Sequence, residues 1–219
     1  MLIDIAPSIC INLICGPWAA DKESKEEIFT TSCKFALARV AISSILGSSY
    51  PTFAQKINEL NFAIEVQRLF NLVHEIGHLF AAKVLTVREP EFKLTQTGGE
   101  VHYSTKELSS FGQRLGLLNC KKMILAAGPI FESISGAMAL AIGCSLEKQY
   151  NLASYVKIAG LINLVKVVIN TCEENEKSDS VKLERLGVSR QASFISFVIL
   201  PLILAYGYTQ GTPHLFEDA

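Results

Sequence analysis

His74, Glu75 and His78 are the residues of this chain whose types and spacing point most directly to chemistry. They form His74-Glu75-Ile76-Gly77-His78 inside the apolar stretch Phe70–Lys83, FNLVHEIGHLFAAK. Residues four apart share one face of a helix, so the two imidazoles can point at a common ion. Glu75 lies one residue round from His74 and can reach a water on that ion without ligating it. Zinc takes nitrogen ligands in tetrahedral geometry, and a hydrolytic site keeps one position open for water. The ion lowers the pKa of that water toward neutrality, and a carboxylate then takes its proton. This is the spacing that metal-assisted hydrolysis needs. The plain alternative is a polar stripe that pairs with its neighbours. Against it, two of the chain's four histidines fall in the pattern. The flanks, Leu72-Val73 and Leu79-Phe80-Ala81-Ala82, are apolar, and three ionisable groups there are costly unless ligated or paired.

The element that must carry these groups is a helix over Phe62–Leu85, long enough to cross a bilayer. Glu65 and Arg68 in its first half are expected to pair with each other. After Thr86 the pattern turns polar and alternating, with Gly98-Gly99 in the middle, which is strand-turn-strand grammar. That hairpin is either an ordinary surface feature or a sheet edge beside the site, to which a substrate adds as an extended strand. Apolar helices follow at Met123–Cys144, Leu152–Asn170 and Gln191–Tyr208, the last expected to kink at Pro201. Upstream, Ile28–Ser48 reads as a helix whose Lys34 and Arg39 make it a weak spanning candidate.

Charge decides the class. The net charge is -1, so no basic field points to nucleic acid. The hydrophobic fraction of 49% is high beside 19% charged residues. Gln191–Phe216 has no Asp, Glu, Lys or Arg, and Met123–Cys144 has only Glu132. Windows of that length suit a bilayer-spanning helix. Thr86–Lys122 carries six Lys and Arg and Thr171–Arg190 four, against one in Ser145–Asn151 and none in Gln210–Ala219. If the metal helix and the three apolar helices after it span alternately, the basic loops share the cytoplasmic side. The fold class expected is mainly α, a polytopic membrane helix bundle with a small β-hairpin after the metal-binding helix. Residues 1–61 form an N-terminal region, 62–209 the core and 210–219 a tail. The six cysteines show no C-x-x-C pair, so a structural zinc site or a disulfide framework is not expected.

HEIGHLFAAK in an apolar helix, a Gly-Gly hairpin after it and Ala127-Gly128-Pro129 in the next apolar helix together resemble the site-2 proteases, the intramembrane zinc metalloproteases. The resemblance covers roughly residues 62–186. It implies a Zn2+ cofactor held by His74 and His78, Glu75 as catalytic base, and Gly98 and Gly99 in the strand that holds substrate. The partners implied are a membrane-protein substrate and the lipid bilayer, with a bacterial inner membrane as the expected setting. The family's third ligand is an Asp in an Asp-Gly motif. Ser178-Asp179-Ser180 is the best match, with Ser180 where the family has Gly. Asp179 could equally be a solvated helix cap, because SDSVKLERL is also a good helix start. Glu132, the lone ionisable residue in its apolar helix, is the rival ligand, or it is a protonated Glu, or it pairs with Lys157 or Lys166 across the bundle. The family usually has Asn where this chain has Glu132. Two other readings stay open: a soluble zinc peptidase of the same motif, and a membrane protein that keeps the fold without proteolysis.

Overall fold

In a computed structural model that describes residues 2–94, 99–146 and 150–211, the chain is a helical bundle with one small sheet. The order is α1 (Leu2–Cys15), a 3-10 turn (Gly16–Trp18), α2 (Lys22–Leu46), α3 (Pro51–Leu85), β1 (Glu91–Leu94) and β2 (Gly99–His102). Then come α4 (Ser110–Leu115), α5 (Leu117–Leu146), α6 (Asn151–Cys172), α7 (Asp179–Arg185), α8 (Arg190–Phe194) and α9 (Leu200–Gly211). A π-helical turn over Ile195–Ile199 joins α8 to α9 without a break. Pro201 follows that turn directly. A proline has no N–H to give and crowds the carbonyl one turn back, and the widened turn lies where both effects of Pro201 fall, in the helix expected to kink there.

α3 is the central element. Its 35 residues are started by Pro51 at the first turn. It packs against α1 and α2 on one side and α5 and α6 on the other. The charged run before α2 is a helix start: the Asp21 carboxylate caps it by accepting from the Ser24 N–H at 2.7 Å.

Four helices are long and apolar enough to cross a membrane: Lys22–Leu46, Leu117–Leu146, Leu152–Cys172 and Arg190–Thr209. Large apolar side chains on them face outward, among them Leu37, Ile45, Leu161, Ile203 and Leu204. The set differs from the expected one at two places: α2 joins it and α3 drops out. Buried partners explain the exchange. The one charged group of α2 that lies deep in the fold, Arg39, is fully buried and gives hydrogen bonds to Glu65 at 2.7 Å, Asn61 at 2.8 Å and Ser8 at 2.6 Å. Glu65 therefore pairs with Arg39 of α2, not with Arg68, which donates instead to the Ile28 carbonyl at 3.2 Å. α3 carries more ionisable groups and falls outside this set by composition, with Glu59, Glu65 and His78 turned into the protein.

β1 and β2 pair antiparallel, with Glu91 opposite His102 and Leu94 opposite Gly99. The outer edge of β1 is met by the segment before α2: Ala20 N–H donates to the Leu94 carbonyl at 2.9 Å. Trp18 stands edge-on to Phe92 with ring centres 5.4 Å apart. Ile11, Cys15, Ile28, Val66, Phe70 and Leu94 share one buried cluster, so the first two helices and the sheet are packed as one body around α3.

Candidate metal centre

On α3, His74 and His78 stand one turn apart as the spacing requires, and their Nε2 atoms approach to 3.0 Å. Both meet one oxygen of Asp179: Oδ2 lies 3.0 Å from His74 Nε2 and 3.1 Å from His78 Nε2. Donor atoms around a tetrahedral zinc with bonds of about 2.0–2.1 Å lie roughly 3.3 Å apart, so the three atoms already have nearly that spacing. Among the described residues, His74, His78 and Asp179 are the one group of three such side chains gathered closely enough to hold a metal ion.

The tautomer of His78 follows from its far nitrogen. Nδ1 lies 2.6 Å from the Ile124 carbonyl oxygen, which can only accept, so Nδ1 carries the proton. A neutral His78 then turns the Nε2 lone pair toward His74 and Asp179. Lone pairs crowded to about 3 Å repel unless a proton or a cation sits among them. Burial by itself raises the Asp179 carboxyl, and when the two imidazoles are protonated their hydrogen bonds and charge outweigh that and hold it well below the usual carboxylate range.

Asp179 reaches the site because of how α7 begins. Ser178 and Ser180 hydroxyls both donate to the Asn170 carbonyl, at 2.8 and 3.0 Å, and tie the start of α7 back to the end of α6. Ser180 thus has a local task. Ser178 stands at the N-cap position with its hydroxyl bonded to Asn170 and not capping the helix, and Asp179, the first residue of α7, aims its carboxylate at the histidines. Lys182, one turn on, holds the other oxygen, Nζ to Oδ1 3.2 Å.

Glu132 is brought to the same histidine on the opposite edge of the ring: its Oε2 lies 2.8 Å from His74 Nδ1. Its Oε1 accepts from Lys166 Nζ at 2.7 Å, so the pairing across the bundle is with Lys166. Glu132 stands behind His74, not beside Asp179.

Two glycines let the backbone come close. A Cβ on Gly128 of α5 would collide with His78 Nε2 and lie 2.8 Å from His74 Nε2, so only glycine lets α5 pass over both rings. A Cβ on Gly99 of β2 would run into the Glu75 side chain, which places that strand directly on Glu75. Gly98 and His214 lie outside the described residues. Two cavities open here. One of about 470 Å³ is lined by Asn71, Glu75, Gly99, Glu132, Lys166 and Asp179. The other, of about 640 Å³, is lined by His74, Glu75, His78, Val101, Tyr103 and Lys182. Both touch Glu75 and Gly99.

Sequence reasoning missed the Ile124 carbonyl, Lys182 and the need for Gly128. The only available signal for the last was Ala-Gly-Pro in an apolar helix; a backbone carbonyl leaves none. Comparison of the chain with protein-family models, with curated proteins and with solved structures finds no match.

Proposed function

We propose that the protein is an intramembrane zinc metalloprotease that hydrolyses peptide bonds in or near transmembrane segments of other membrane proteins. The observation that carries this reading is the meeting of His74 Nε2, His78 Nε2 and Asp179 Oδ2 within 3.0–3.1 Å of one another, beside Glu75. The donor set fits zinc: two imidazole nitrogens and one carboxylate oxygen, with room left for a water and a carbonyl. His74, His78 and Asp179 would hold the ion. When bound, zinc supplies Lewis acidity, which activates a water and polarises a peptide carbonyl. Glu75 takes the proton of the attacking water and delivers it to the departing amine, which places this side chain on both halves of the reaction. Gly99 brings β2 against Glu75, and among the described residues no other strand pairs with the outer edge of β2. A substrate segment, once unwound, can add there as a strand and present its backbone to Glu75.

Support for a bilayer setting comes from the four apolar helices and their outward side chains. The same exposed surface weighs against a soluble peptidase. The deciding experiment reconstitutes the purified chain in detergent or lipid with a transmembrane peptide library and Zn2+. Cleavage that a strong chelator stops, and that Zn2+ restores, is expected. A chain that binds zinc stoichiometrically and cleaves no member would favour a binding role in its place.

A further inference from the structure

We propose that Glu132, held in place by Lys166, is the positioning residue that makes His74 a metal donor. The inference rests on the zinc reading of the site and adds to it a device that the ligands alone do not contain.

His74 is flexible in principle: either ring nitrogen of a neutral imidazole can carry the proton, and the ring can swing about its side-chain bonds. Glu132 removes both freedoms. Its Oε2, 2.8 Å from Nδ1, accepts the hydrogen bond of an Nδ1–H and leaves the Nε2 lone pair facing Asp179 and His78. An outer carboxylate of this kind also makes the imidazole a stronger donor. Both oxygens of Glu132 are engaged, Oε2 by His74 and Oε1 by Lys166, so the carboxylate serves the ring and not the ion.

A carboxylate with a side chain only 3% exposed is expensive unless a countercharge lies beside it. Lys166 of α6 supplies that charge at 2.7 Å and also donates to Asn71 Oδ1 on α3. Asn163, one turn earlier on α6, donates to the backbone carbonyl of Glu132 at 3.1 Å and fixes the height of α5 at this residue. Three of the helices that build the site, α3, α5 and α6, therefore meet at one carboxylate. The two histidines are held unequally: His78 by a neutral backbone carbonyl, His74 by a charged pair. Donor strength at the ion is set at His74.

The test is zinc affinity of the full-length chain in detergent, measured by competition with a chromophoric chelator, with circular dichroism as the check on folding. Glu132→Ala is expected to weaken zinc binding 10- to 100-fold. Glu132→Gln/Lys166→Met keeps the acceptor for Nδ1–H and strands no charge, and it is expected to recover most of that loss. Glu132→Leu/Lys166→Met, which removes the acceptor and both charges together, is expected to bind as weakly as Glu132→Ala and replaces it should that variant not fold. Wild-type affinity in a folded Glu132→Ala or Leu/Met variant overturns the proposal. So does a Gln/Met variant no better than Leu/Met. His78→Ala is run alongside: if it binds zinc as the wild type does, the metal reading itself fails, and this one with it.

Discussion

At the scale of single residues, the proposed function divides the site into groups that would hold an ion and one that would move a proton. Glu75→Gln should keep zinc at one equivalent while cleavage falls by about 10²–10⁴-fold; metal analysis and a peptide assay on the same sample check both halves. His78→Ala should lose bound zinc, and a full equivalent retained after dialysis would refute the site. Asp179→Ala should weaken zinc binding more than Glu132→Ala, because one removes a donor atom and the other only the group behind a donor; the opposite ranking would give the third position to Glu132. Much of this was legible in the sequence, and the reason is distance along the chain. His74, Glu75 and His78 are contiguous, so helix geometry alone joins them. Asp179 lies 105 positions beyond His74 and was nameable only through resemblance and its place after an apolar helix. Which ring nitrogen Glu132 would meet was not readable, since spacing says that two side chains face each other but not which edge of an imidazole is turned.

At the scale of elements, close approach is what the helices had to achieve. Gly128→Ala puts a methyl group into both imidazoles. The overpacking costs about 1–3 kcal/mol, and zinc affinity should fall by roughly 10- to 100-fold with the helix content unchanged. Chelator competition on the purified variant checks this, and unchanged affinity would mean that α5 slides away at no cost. The Arg39–Glu65 pair makes a separate case. Removing one member of a buried ion pair strands the other and costs about 3–5 kcal/mol, whereas replacing both with apolar residues costs far less. Arg39→Ala should therefore lower the unfolding temperature much more than Arg39→Met/Glu65→Leu, as thermal unfolding in detergent would show. The sequence misled here because Glu65 and Arg68 lie on adjacent turns, and local pairing looked sufficient. It could not show that α2 would bring a competing cation from 26 positions away. The hairpin, by contrast, was legible from its alternation and glycines, because period-two patterning is a local property.

At the scale of the whole molecule, the arrangement of the ends is a claim about orientation. α2 begins where its lead-in segment bonds β1, just beyond the C-terminal end of α3, so both helix ends lie on the side that carries the basic loops. The joint between α2 and α3, Gly47-Ser48-Ser49-Tyr50, has no Lys or Arg, as expected of the opposite side. With α2 added as a crossing and α3 kept as one, screened from lipid by the helices around it, nothing changes downstream, and a reporter fused after Ala219 should appear on the non-cytoplasmic face; cytoplasmic activity would mean that one of the crossings is miscounted. The bond from Ala20 to Leu94 also reaches beyond topology. A fragment begun at Pro51 would keep His74, His78 and Asp179 yet leave β1, the partner of the strand beside Glu75, without its outer neighbour. On the proposed function, such a fragment is expected to bind zinc as the whole chain does and to cleave more slowly, which metal analysis and a peptide assay on the two proteins would compare.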